Sequence, residues 1–236
     1  MKERICFLIF NILSASLCHA QLQTLDFNGA YGRVMYNDPV SIGQKKVNNI
    51  NYSETRGEYF WDEDWSPGIL VLKNGKGFKF GKVRLNLYTN EVHYLDNQSI
   101  ELSVPVDLLK EMILFSPKDS ISIIASFQVL NGLTKDNKGH CFQVLNDGKI
   151  QLLKYTSIIM RKNTYDPLRG EDEYTFSSST DYYVRNVNSI KLLKDISKKS
   201  LASIENIPVP QLEEWTKSKI KREADVIEFF NFLNSK

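Results

Sequence analysis

Apolar and polar residues alternate with a period of two over most of the chain between residues 69 and 191. Residues 69–72 form a short apolar run. Asn74 and Gly75 follow it, a pair favoured in two-residue β-hairpin turns. Over residues 77–88 apolar side chains alternate with lysines, and the phase changes near Gly81, which predicts a β-bulge. The pattern therefore predicts a β-meander of antiparallel strands.

The same alternation predicts further strands along the chain. They lie at residues 92–94, 100–104, 120–129, 140–145 and 149–160, with a last hairpin over residues 181–191. The turns between them fall at residues 89–90, 97–98 and 146–148, and residues 131–139 form a polar loop. Taken in isolation, the Leu-rich stretch 106–115 is compatible with a short helix. We expect a surface loop over residues 163–180, which contain Pro167, Gly170 and three consecutive serines.

After Leu192 the apolar period lengthens to about 3.6, which predicts helices over residues 192–204 and 212–233. Strands first and helices last indicate an α+β fold, a mostly antiparallel β-meander or curved sheet followed by C-terminal α-helices. The predicted organisation has four parts: a signal peptide at residues 1–20, an extended lead-in at 21–57, a β-rich body at 58–191, and a helical segment at 192–236 packed on the same domain.

The first twenty residues have the charged start, the apolar stretch and the small-residue end of a secretory signal peptide. Cleavage after Ala20 would leave Gln21 as the first residue. Cys18 raises lipidation as an alternative, but Leu17 is larger than the residue that lipoprotein cleavage favours before its cysteine. We therefore expect an exported protein, periplasmic or associated with the outer envelope, without a lipid at Cys18.

The composition narrows the class of protein. Aromatic residues make up 11% of the 236 residues, too many for a disordered chain, and a net charge of +2 gives no basic field for nucleic acid. No later stretch is long and apolar enough to span a membrane. Without residues 1–20 only Cys141 remains, which excludes an intramolecular disulfide and favours a buried structural cysteine.

The chain lacks the usual catalytic and nucleotide-binding motifs. We expect His93 to face solvent from its strand, and His140 to point to the opposite face from Cys141. Neither arrangement predicts a metal site or a nucleophile–base pair, and no cofactor is indicated.

The most concentrated candidate site is the acidic trio Asp62, Glu63 and Asp64 between Trp61 and Trp65. Carboxylates can act as acid and base on a sugar, and exposed aromatic rings can stack on sugar rings. Such carboxylates need a set separation across a cleft, which adjacent positions do not provide. A polar loop anchored in the core through Phe60 and Trp65 is therefore the favoured interpretation, with a ligand site as its rival.

Several segments resemble a group of uncharacterised exported proteins of Bacteroidota. The resemblance is carried by residues 68–75, 83–92, 142–154 and 181–184 and by Phe229, Phe230 and Asn231 near the end of the chain. It implies a location in the cell envelope and no named activity. In such bacteria Asp119, Ser120 and Ile121 also resemble an O-glycosylation acceptor at Ser120.

Together these observations predict a non-enzymatic binding or interaction module for an envelope protein, a glycan or a lipid. Two alternatives remain. The first is a hydrolase of envelope glycans that uses Asp62, Glu63 or Asp64. The second is a lipid carrier built on a curved sheet, which would need an apolar cavity.

Overall fold

Twelve strands and two helices make up most of the regular structure in the part of the chain that is described. A computed structural model describes residues 45–46, 55–166, 171–202, 204, 220 and 222–235. The strands are β1 (Lys45–Lys46), β2 (Thr55–Arg56), β3 (Ser66–Leu72), β4 (Gly77–Asn86), β5 (Glu91–Leu95), β6 (Glu101–Pro105), β7 (Leu109–Phe115), β8 (Ile123–Leu130), β9 (His140–Val144), β10 (Gln151–Asp166), β11 (Glu171–Arg185) and β12 (Ile190–Leu193). The helices are α1 (Lys198–Ala202) and α2 (Glu223–Asn234), and a 3-10 turn covers Val106–Leu108.

All twelve strands belong to one mixed sheet. Its order is β1-β6-β5-β4-β3-β7-β8-β9-β10-β11-β12, with antiparallel neighbours throughout, and β2 pairs parallel to β11. The prediction of a mostly antiparallel sheet followed by a C-terminal helix is confirmed at this level. Among the described residues no helix is both long enough and apolar enough to cross a bilayer.

Residues 55–61 connect two distant parts of the sheet. Thr55 and Arg56 pair with β11, while Phe60 forms an antiparallel bridge to Asn86 at the end of β4. Five strands separate β4 from β11 in the sheet order. The sheet therefore curls until its β11 side approaches the residues that precede β3.

Hydrophobic residues fill the inner face of the curl. The main core draws on β3 to β9 and includes Leu70, Val83, Tyr94, Met112 and Phe127, each at most 2% exposed. A second core lies between the sheet and α2. There Val226, Phe229 and Phe230, spaced as one helix face, pack on Leu152, Val184 and Leu193.

The predicted irregularities in the meander are largely confirmed. Ser66 pairs with Val83 and Gly68 with Phe80, so β4 carries one extra residue at the predicted bulge. The turn at Gly75 differs from the prediction. The amide N–H of Leu72 donates to the carbonyl of Lys76, which makes a three-residue loop. Gly75 is left-handed (φ 84°), but Asn74 is not, as a two-residue type I′ turn would require.

Three predictions of local structure were wrong. Residues 109–115 form β7 instead of a helix, because residues 112–115 are buried on both faces of the sheet, and such a run is apolar without the alternation that marks a strand. Residues 163–166 and 171–180 belong to the antiparallel pair β10–β11, and residues 167–170 lie outside the described residues. Leu192 and Leu193 end β12, so the first helix is confined to Lys198–Ala202.

Much of the predicted N-terminal organisation lies outside the described residues. The signal peptide, Cys18, Ala20 and Gln21 all fall there, as does most of the lead-in at 21–57. Of the helix predicted over 212–233, residues 212–219 and 221 also lie outside. The prediction is confirmed from Glu223 onward by α2, whereas residues 220 and 222 precede the helix.

Candidate binding groove

An open groove of about 500 Å³ lies on the inner face of the sheet, where β10 and β11 approach the residues preceding β3. It has a floor from the two long strands and a wall from residues 57–61 and the end of β4. The lining residues are Gly57, Glu58, Phe60, Trp61, Leu87, Lys154, Thr156, Ile158, Phe176, Ser178 and Thr180.

The floor owes its composition to strand register. Thr156 pairs with Thr180, and Ile158 with Ser178, so these four side chains share one face of the hairpin. Ser178 and Thr180 are exposed and Thr156 is half-buried. Ser178 and Thr180 succeed each other on this face of β11, about 7 Å apart, and Thr156 lies opposite Thr180 on β10, so the three hydroxyl groups form one patch on the floor.

Trp61 supplies the aromatic wall. Its amide N–H donates to the carbonyl of Leu85 at 2.9 Å, so the backbone pairs with β4 at Trp61 as well as at Phe60. Its ring stands edge-on to Phe127 in the core, with 5.4 Å between centroids and an interplanar angle of 87°. Trp61 is therefore half-buried. One side of its ring packs on the core, and the remaining surface of the side chain faces the groove.

Phe176 forms the far end of the groove. Its ring contacts Tyr59 and Tyr88, with centroids 5.2 and 5.0 Å away. Gly57 passes so close that a Cβ there would lie 3.0 Å from the carbonyl oxygen of Phe176. Gly57 also has a φ of 98°, a conformation that favours glycine. The groove wall thus depends on a glycine at this position.

Lys154 joins the floor of the groove to helix α2. Its Nζ lies 2.8 Å from Oε2 of Glu223 in the first turn of the helix, and the hydroxyl of Tyr182 donates to the same oxygen at 2.5 Å. Burial opposes ionisation of Glu223, but the hydrogen bonds from Lys154 and Tyr182 outweigh it and lower its pKa. Burial, together with this ionised neighbour, raises the pKa of Tyr182.

The structure separates the five predicted ligand-binding residues. Trp61 lines the groove. Asp62, Glu63 and Asp64 are exposed on the acidic loop (residues 62–65), which connects the Trp61–Leu85 hydrogen bond to the start of β3. The amide N–H of Asp64 donates to Oδ1 of Asp62 at 3.0 Å, a hydrogen bond within the acidic loop. None of the three acids lines the groove.

Trp65 lies on the outer face of the sheet. Its ring covers the guanidinium of Arg84 at 4.2 Å, and Phe60 covers the same group at 3.8 Å. The expectation that Phe60 is buried is confirmed, at 4% exposed, but Trp65 is only half-buried. These contacts hold the acidic loop against the sheet, away from the groove.

The prediction that His93 faces solvent was wrong. Its side chain does point to the opposite face from Val92 and Tyr94, but it is 6% exposed, because Phe60 packs edge-on against it with centroids 5.4 Å apart. Its Nδ1 lies 2.7 Å from Oε1 of Glu101, which also accepts a hydrogen bond from Arg84 at 2.8 Å. The pattern of one strand shows which face a residue occupies, but not what covers that face.

Cys141 is buried, as predicted, and burial raises the pKa of its thiol to about 12. The neighbouring His140 contacts Asp136, with Nε2 of the histidine 3.0 Å from Oδ1 of the aspartate. Among the residues that the structure describes, no three His, Cys, Asp or Glu side chains are grouped so that they could hold a metal ion.

Ser120 is exposed in the turn between β7 and β8, with a φ of 55°. Asp119 organises this turn through hydrogen bonds from the backbone N–H groups of Ile121 and Ser122 and from the Ser122 hydroxyl. The serine is therefore accessible, whereas O-glycosylation there stays a prediction.

The sequence interpretation missed the groove floor. The sequence pattern predicts a strand at Lys154 and Thr156 but a loop at Ser178 and Thr180, so it does not predict that the last two share a face with Thr156. Recognising residues 171–185 as the partner of β10 would reveal this shared face.

Comparison of the chain with protein-family models, curated proteins and solved structures finds no match.

Proposed function

We propose that this chain is an exported, non-enzymatic binding module of the cell envelope and that its ligand is a glycan. The observation that carries the proposal is the groove that the Trp61 ring lines together with the hydroxyl patch of Thr156, Ser178 and Thr180. A sugar ring presents apolar C–H groups on its faces and hydroxyls around its rim, so it matches a site that offers both an aromatic surface and hydrogen-bonding groups.

Binding without hydrolysis fits the distribution of carboxylates. Most glycosidases place two carboxyl groups about 5–10 Å apart across the scissile bond. Glu58 is the one acid among the described residues that line the groove, and Asp62, Glu63 and Asp64 are exposed outside it. A lipid carrier is less well supported, because hydroxyls and the charged Lys154 and Glu58 share this lining with the apolar side chains.

The export part of the proposal rests on the signal-peptide pattern of residues 1–20 and the resemblance to exported envelope proteins. N-terminal sequencing of protein recovered from its native cells tests it. We expect the mature chain to begin at Gln21. An intact Met1 in the major form would refute cleavage.

The glycan part is tested by binding to an array of immobilised neutral and acidic glycans, followed by calorimetry on the glycans retained. Ser178 and Thr180 are exposed on the groove face, so replacing both with Ala removes two hydroxyls without opening a core cavity. Ser177→Ala with Ser179→Ala is the matched control, because adjacent residues of β11 point to the opposite face.

We expect the Ser178→Ala/Thr180→Ala variant to bind at least tenfold more weakly, since each lost hydrogen bond contributes about 1 kcal/mol. The control should stay within about twofold of the parent. Equal effects of the two pairs would overturn the groove as the site, and an array that retains no glycan would overturn the proposed ligand class.

A further inference from the structure

A second pocket of about 460 Å³ lies where four loops meet at one end of the sheet. Its lining comes from the β3–β4 and β4–β5 turns, the end of β6 with the 3-10 turn, and the β8–β9 loop. The lining residues are Lys73, Thr89, Asn90, Glu91, Pro105, Asp107, Asn131, Asn137, Lys138 and Gly139.

The lining of this pocket is rich in amide groups and balanced in charge. It contains three asparagines, and its two lysines are matched by Glu91 and Asp107. The hydroxyl of Thr89 is buried and has no hydrogen-bond partner among the described residues. A neutral ligand with hydrogen-bond donors and acceptors suits such a surface better than a charged one.

The second pocket adjoins the groove through the β4–β5 turn. Leu87 lines the groove, and Thr89 and Asn90 line the second pocket, so the Cα atoms of Leu87 and Thr89 are at most about 7.6 Å apart. The turn is well fixed, because Oδ1 of Asn86 accepts from the backbone N–H groups of Tyr88 and Thr89 at 3.0 Å each. The two sites therefore border on the same turn.

Resting on the glycan ligand argued above, we propose that the second pocket holds an N-acetylated sugar unit of the same glycan chain. An acetamido group carries one N–H donor and one carbonyl acceptor, and an asparagine side chain offers the complementary pair. Asn131 and Asn137 are exposed in the lining, whereas Nδ2 of Asn90 already donates to the carbonyl of Gly139 at 2.7 Å. The ligand is an oligomer that spans both sites.

Calorimetry with β-1,4-linked N-acetylglucosamine oligomers of one, two and four rings tests this inference, with glucose oligomers of equal length beside them. The second-pocket variant is Asn131→Ala with Asn137→Gly. Glycine preserves the left-handed conformation of Asn137 (φ 55°). Asn97→Ala is the control, since Asn97 is exposed in a turn that lines neither pocket, and circular dichroism verifies folding.

We expect the four-ring N-acetylglucosamine oligomer to bind at least tenfold more tightly than the two-ring oligomer and than four-ring glucose. Asn131→Ala/Asn137→Gly should abolish the gain from length and leave two-ring binding unchanged. The groove variant Ser178→Ala/Thr180→Ala should weaken binding of both lengths. The Asn97→Ala control should match the parent.

An affinity that does not increase with length, or that is equal for glucose oligomers, overturns the inference. So does an unchanged affinity in the Asn131→Ala/Asn137→Gly variant. In each case the proposed glycan function stands if the groove variant still weakens binding. A protein that binds no glycan of any kind overturns the proposed function instead.

Discussion

His93 and Glu101 form a partly buried hydrogen bond on the outer face of the sheet, with Nδ1 of the histidine 2.7 Å from Oε1 of the carboxylate. The residues occupy adjacent strands, β5 and β6, and Arg84 of β4 donates to the same oxygen. Phe60 covers His93 and Arg84. Because Trp61 follows Phe60 directly, this polar cluster helps to position the aromatic wall of the groove.

Glu101→Gln should destabilise the protein in a pH-dependent way. Burial alone would raise the pKa of Glu101, but the hydrogen bonds from Arg84 and His93 outweigh it and lower the pKa below 4.5. Since the folded pKa is lowered, this stabilisation is present above pH 4.5 and is lost as the pH falls through the folded pKa. We expect a loss of about 1 kcal/mol at pH 7 that shrinks toward pH 3.

Urea unfolding followed by tryptophan fluorescence at a series of pH values measures this effect. Glu63→Gln, at an exposed residue of the acidic loop, is the control. It should change the free energy of unfolding by less than about 0.5 kcal/mol. A deficit in Glu101→Gln that is the same at pH 7 and pH 3 would argue against the ionised hydrogen bond.

Substitution of three glycines by alanine should give a graded loss of stability. Gly57 combines a φ of 98° with a close approach to Phe176, so Gly57→Ala should cost about 2–3 kcal/mol. Gly75 has a φ of 84° but open space around it, and about 1 kcal/mol is expected. Gly81 has neither constraint, and Gly81→Ala should be nearly neutral.

Thermal unfolding of the three variants tests this order. Equal destabilisation by Gly57→Ala and Gly75→Ala would show that the contact with Phe176 adds nothing. A loss of glycan binding in Gly57→Ala alone would further tie this contact to the groove wall.

How much the sequence predicts depends on whether a signal is local. The bulge at Gly81 and the buried face of α2 follow from periodicity over a few residues, and both are confirmed. The cover over His93 does not, because Phe60 reaches it from a segment more than thirty residues earlier in the chain. The hydroxyl patch of the groove does not follow from the pattern for a related reason, since Ser178 and Thr180 are polar enough to resemble a loop and become strand residues through pairing with β10.

Cys141 should be inert in the folded protein. Its thiol is buried and its pKa is raised to about 12, so little thiolate is present at pH 8. In a chain with Cys6→Ser and Cys18→Ser, we expect reaction with a colourless aromatic disulfide reagent to be at least 100-fold slower in buffer than in urea. Adding Ser179→Cys, at an exposed position of β11, supplies a fast-reacting control. Rapid labelling of Cys141 without urea would contradict the burial.

The most direct test of the groove as a glycan site is an NMR titration of the tryptophan indole N–H signals with the four-ring N-acetylglucosamine oligomer. The chain has three tryptophans, and the signal lost in Trp61→Phe or in Trp65→Phe identifies the signal of that residue. We predict that the Trp61 signal shifts in a saturable way, while the Trp65 signal, over Arg84 on the outer face, stays in place. A shift of Trp65 in place of Trp61, or no shift of either signal, would contradict the account.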